Sequence, residues 1–140
     1  MTYSFSFESH SDFLKAHLTA AETSREITLA YLTELHEKCL AHGRSHLLVI
    51  RDIPVVLHLS DYFSLAAETA TILQGIKTAW VNPHPRIHDD LEFFCLVANN
   101  RGAQYKLFPG CPQAEEWLGK ERATPTRRSF PAQNGFVFAC

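Results

Sequence analysis

Leu47, Leu48, Val49 and Ile50 form an unbroken apolar run too short to be a helix of its own. A run of that kind has no solvent face, so it specifies a central strand covered on both sides. Such a strand needs layers above and below a sheet, and the rest of the pattern supplies them. Tyr3, Phe5 and Phe7 alternate with Ser4, Ser6 and Glu8, the period of a half-buried strand. The polar turn Ser9-His10-Ser11-Asp12 follows, and residues 13–18 return as the second arm of a hairpin.

Helical spacing begins at Thr23 or Ser24, with Ile27, Ala30, Tyr31, Leu35 and Cys39 on one stripe. Thr23 followed by Glu26 has the form of a capping box, and Gly43 stands where a helix would stop. Residues 52–59 read as a loop broken by Pro54. Ser60 is expected to cap a second helix running to about Leu73, with Gly75 beyond its end. Lys77–Val81 reads as a strand closed by Asn82-Pro83-His84-Pro85. A third helix is expected from Ile87 or Asp89 to Arg101-Gly102, its first turn carrying Asp89, Asp90 and Glu92 as the helix dipole prefers. Gln104–Phe108 is a short strand, and Pro109-Gly110 turns into a last helix with Pro112 at its first position and Trp117-Leu118 as anchors.

The expected fold is therefore α/β: one domain, a mainly parallel sheet with an N-terminal hairpin, and the order ββαβαβαβα with helices packed on the sheet. Residues 1–119 make the domain and residues 120–140 a C-terminal tail. Leu48, Ile50, Leu91, Phe94 and Trp117 are expected in one core. Phe130, Phe136, Val137 and Phe138 make the tail apolar enough to dock on its own domain or on a second copy, as an edge strand of a homodimer would. Arg122, Arg127 and Arg128 beside Phe130 read as a solvated basic stretch.

A chain of 140 residues buries enough surface to fold without staples. Its formal charge of -2 supplies no field for steering to nucleic acid or anionic membranes. No stretch approaches the roughly 18 apolar residues of a membrane span. The start lacks a basic segment followed by an apolar one, so the expected location is the cytoplasm. Cys39, Cys95, Cys111 and Cys140 have no metal-site spacing, and all four are expected as free thiols.

Val97-Ala98-Asn99-Asn100-Arg101-Gly102 entering the strand Gln104–Phe108, then Ala114-Glu115-Glu116-Trp117-Leu118, resembles the STAS-like group, more narrowly its SpoIIAA-like, STAS/Sec14-type bacterial domains. The resemblance covers about residues 3–118 by element order. It implies a small α/β fold whose members mostly bind proteins or small ligands. The anti-sigma-factor antagonists of that group carry a phosphorylatable serine at the start of the helix after the central strand. The matching stretch here is Leu59-Ser60-Asp61-Tyr62-Phe63-Ser64, without the antagonists' Asp-Ser-Ser-Gly pattern. Ser60, Asp61, Tyr62 and Ser64 are accordingly the candidate ligand- or partner-binding residues.

Two other constellations carry chemistry. Cys111, between Pro109-Gly110 and Pro112, is a candidate reactive thiol, because free N–H groups at a helix start stabilise a thiolate. His84, His88, Asp89 and Asp90 are metal-ligand types within one turn, with a polar helix start as the plainer reading. No cofactor and no metal are expected, and G-x-G-x-x-G, G-x-x-x-x-G-K-[ST], G-x-S-x-G and H-E-x-x-H are all missing from the sequence. The expected function is a non-catalytic binding or regulatory module acting through a protein partner or a small apolar ligand. The alternatives are a thiol-based enzyme using Cys111 and a homo-oligomeric assembly protein.

Overall fold

Seven residues of the central strand, His46–Asp52, include five consecutive buried ones, Leu47 through Arg51. The computed structural model describes residues 3–119; the tail expectations at residues 120–140 lie outside that range. Among the described residues are five strands: β1 (Ser4–Ser9), β2 (Leu14–Thr19), β3 (His46–Asp52), β4 (Lys77–Val81) and β5 (Gln104–Phe108). Four α-helices connect or follow them: α1 (Arg25–His42), α2 (Leu59–Ile72), α3 (His88–Asn99) and α4 (Cys111–Gly119). No helix among the described residues is long and apolar enough to cross a membrane.

The sheet runs β1-β2-β3-β4-β5, antiparallel at the hairpin and parallel from β2 onward. When parallel neighbours follow one another in a single direction, right-handed crossovers put every connecting helix on the same side. That is what the packing shows. Side chains of α1 (Ile27, Tyr31, Leu32, Leu35, Cys39), with Ala70 of α2 and Ala98 of α3, pack on Leu14, Ala16, Leu47, Val49, Trp80 and Tyr105. Among the described helices α4 alone crosses to the other side, where Ala114 and Leu118 meet Leu48, Ile50, Ala79 and Val81.

The expected single core of Leu48, Ile50, Leu91, Phe94 and Trp117 is thereby corrected. Leu48, Ile50 and Trp117 belong to the α4 layer, whereas Phe94 packs with Tyr62 and Leu65 on the opposite side. Strand side chains alternate, so Leu47 and Leu48 cannot share a face.

The helix ends also refine the reading. Ser24, not Thr23, caps α1: its Oγ accepts the Ile27 N–H at 3.1 Å. Gly43 ends α1 at φ +64, a left-handed conformation that a side chain would strain. Ser60 does not cap α2; that place belongs to His58, which makes no side-chain cap bond. Ser24→Ala is therefore expected to cost about 1 kcal/mol. Ser60→Ala should cost a few tenths at most, as surface substitutions do. Urea titrations of the two variants distinguish them, and equal costs would show that the cap has been misplaced.

Candidate ligand pocket

Between the sheet and its three-helix layer lies a cavity of about 60 Å³. Strands supply Arg51, Trp80, Tyr105 and Leu107; α1 supplies Thr28, Tyr31 and Leu32; α2 supplies Tyr62 and Thr69; α3 supplies Leu91, Phe94 and Cys95; and Leu57 closes it from the loop before α2. Five of these side chains are aromatic, and their geometry is fixed by one another. Tyr62 stacks on Phe94 with centroids 3.8 Å apart and donates its hydroxyl to the Phe94 carbonyl at 2.6 Å. Trp80 meets Tyr105 edge to face at 5.5 Å. Tyr105 in turn donates to the Thr69 carbonyl at 3.3 Å.

The end of α3, Asn99-Asn100-Arg101-Gly102, has a mechanical part in this arrangement. Asn99 brackets the backbone of Tyr105, accepting its N–H at 2.8 Å and donating to its carbonyl at 2.9 Å. Gly102, at φ +106, permits the tight turn between them. The ring of Tyr105 is thus aimed from a β5 whose start is pinned to the end of α3.

Two polar groups stand out in the lining, one for a charge without a counter-charge and one for an N–H without an acceptor. Arg51 is only 5% exposed. Its Nη1 donates to the Ile53 carbonyl at 3.1 Å and its Nη2 to the Val55 carbonyl at 3.0 Å, which folds the chain after β3 over the guanidinium. Neutral carbonyls satisfy donors but do not neutralise a charge, and no carboxylate among the described residues forms an ion pair with it. Trp80 is 7% exposed, and its buried Nε1–H has no acceptor. Burial pushes the Cys95 thiol up to about 12, reinforced by Glu92 and opposed by Arg51. Burial also raises Tyr62 and Tyr105 above the ordinary tyrosine value. At neutral pH these three are uncharged, and among the described lining residues Arg51 is the single Arg, Lys, Asp or Glu.

Of the expected site residues, only Tyr62 reaches this pocket. Ser60, Asp61 and Ser64 are exposed on the outer side of α2. The Ser64 hydroxyl donates to the Asp61 carbonyl at 2.8 Å and accepts from Arg25 Nη1 at 3.0 Å, while Arg25 also pairs with Glu68 at 3.2 Å. Cys111 opens α4 as a 4% exposed residue in the α4 layer. It is disulfide-bonded, which corrects both the reactive-thiol expectation and that of four free thiols; Cys39 and Cys95 are free. Cys140 lies outside the described residues.

His84 does not join Asp89 and Asp90. Its Nε2 lies 2.8 Å from Asp52 Oδ1 at the end of β3, and His17 of β2 stands 3.7 Å from the other oxygen. Asn82 sets the His84 backbone through two bonds of 2.8 and 3.0 Å, and His88 faces Glu92 at 3.9 Å. Among the described residues no group of three or more His, Cys, Asp or Glu is placed to hold a metal ion. Above the pocket, α2 and α3 expose Leu59, Phe63, Phe93 and Leu96, with Phe63 and Phe93 edge to face at 6.0 Å. No family model matches this chain, and no curated protein matches it.

Proposed function

We propose that this chain is a non-catalytic binding module whose ligand, a small molecule, sits between the sheet and α1–α3. One observation carries the reading. Five aromatic rings, a buried guanidinium and an unmatched indole N–H line a pocket of about 60 Å³ that is partly open to solvent. An apolar wall with a few convergent polar groups is the ordinary composition of a ligand site. The resemblance to STAS-like binding domains supports the same class of function.

A regulatory output follows from the same walls. Tyr62, Phe94 and Leu91 line the pocket from α2 and α3, the helices that expose Leu59, Phe63, Phe93 and Leu96. Occupancy bears on the spacing of the two helices, and a protein partner reading their outer faces would sense it.

The test is a screen of small fragments by protein-observed NMR, following the methyl groups of Leu32, Leu57, Leu91 and Leu107. At least one fragment is expected to shift these methyls saturably, and Cys95→Leu, which fills the void, should weaken its binding about tenfold or more. If every fragment leaves the four leucines unmoved, the pocket reading is wrong.

A further inference from the structure

We infer that the pocket's ligand is a small organic carboxylate, read by Arg51 and the Trp80 indole N–H; the inference rests on the pocket reading above. A guanidinium withdrawn from water needs a counter-charge, because desolvation penalises the ion far more than the neutral carbonyls of Ile53 and Val55 repay. Guanidinium carries five N–H donors in a fixed fork, and the two bonds seen here engage one on each Nη. A carboxylate is the planar acceptor that fits such a fork, and it brings the missing charge. Its second oxygen also supplies what the buried Trp80 Nε1–H lacks. One chemical group therefore answers two independent deficits in one cavity.

Size and character of the rest follow from the walls. A water-sized group requires about 10–15 Å³ of such space, so a cavity of about 60 Å³ takes roughly four to six heavy atoms. Aromatic and leucine side chains form the remainder of the lining, so the body of the molecule is apolar. A short-chain fatty acid of butyrate size has this chemistry. The lining holds no carboxylate to attract a cation, which argues against an amine.

The experiment titrates the full chain, labelled with nitrogen-15, with butyrate and with butyramide, its neutral amide of equal size. The chain has two tryptophans, and the Trp117 indole, on the α4 side under Lys77, serves as the internal control. Butyrate is expected to shift the Trp80 indole N–H saturably while Trp117 stays in place. Butyramide should bind at least about tenfold more weakly. Trp80→Phe, which keeps the ring packing, should weaken butyrate several-fold yet preserve its advantage over the amide, and Arg51→Met should erase that advantage. Equal binding of acid and amide overturns the carboxylate assignment while leaving a ligand pocket intact. A Trp80 shift reproduced by chloride at equal ionic strength overturns it too, since the site would then be a hole for any anion. Silence of Trp80 and of the pocket methyls toward both compounds removes the inference and, if the fragment screen is also silent, the binding reading beneath it.

Discussion

Truncating Leu47 to alanine is expected to cost about 2–5 kcal/mol, and truncating its neighbour Leu48 as much again. Both side chains are wholly buried, yet they stand in different layers: Leu47 beneath α1 and Leu48 beneath α4. Sharing no packing partners, they should contribute additively to within about half a kcal/mol. The double variant then loses about 4–10 kcal/mol, against the 5–15 that usually holds a domain of this size together. Urea titration should show two weakened but cooperative single variants and a double variant with little or no folded baseline. A Leu48 variant that loses under about 1 kcal/mol would mean that α4 does not cover the sheet. A double variant much more stable than the sum would place the two side chains in a single core.

The adjacency of these leucines explains how far the sequence could be read. Four apolar residues in a row announce burial on both faces, and alternation assigns each to a side. Helix stripes and turn residues then mark α1, whose Ile27, Tyr31, Leu35 and Cys39 are all buried. What the pattern lacks is the assignment of helices to faces. Leu91, Phe94 and Trp117 look alike as apolar periodic residues, and only the sheet order β1-β2-β3-β4-β5 separates α4 from α1–α3. Caps blur for a related reason. Thr23 and Ser24 both carry a hydroxyl, and which one accepts the N–H depends on a single backbone dihedral.

The pocket was less visible still. Tyr62 stands near the start of α2 and points inward, but its neighbours Ser60, Asp61 and Ser64 are polar and face water. The residues that give the pocket its chemistry come from strand interiors. Arg51 follows directly on Leu47-Leu48-Val49-Ile50, and a charge continuing an apolar strand is a cue that deserves weight in such a sequence, because the strand's burial does not stop with the last aliphatic residue. Trp80 lies inside the expected strand Lys77–Val81, and the orphan state of its N–H depends on long-range packing that no local window contains. Likewise Asp52 and His84 are 32 residues apart and meet only because β3 and β4 are parallel neighbours.

Raising the pH should unfold the domain cooperatively, starting from about pH 10, because several buried groups are held in their protonated forms. Burial lifts the wholly buried Cys39 thiol from 9 to about 11. Cys95, half-buried as a residue but desolvated at its thiol, is raised to about 12, and Tyr62 and Tyr105 lie well above 10, burial again being the leading cause. In the unfolded chain these groups ionise near their ordinary values, about 9 for the thiols and 10 for the phenols. Above those values the unfolded state sheds protons that the folded state must keep. The stabilisation is therefore complete below about pH 9 and drains away as the pH climbs toward the folded values. At about 1.4 kcal/mol per unit, Cys39 alone forfeits about 2 kcal/mol by pH 11, and the buried tyrosines add to it. The sum reaches the stability of a typical domain, so loss of helical circular dichroism and appearance of phenolate absorbance should coincide between about pH 10 and 12. Tyr105→Phe gives up the 3.3 Å bond to Thr69 and should be slightly less stable at neutral pH, but it removes one ionisation and should unfold at a higher pH. If Tyr62 and Tyr105 instead titrate near pH 10 in a protein that keeps its circular dichroism, the rings that wall the pocket are open to water.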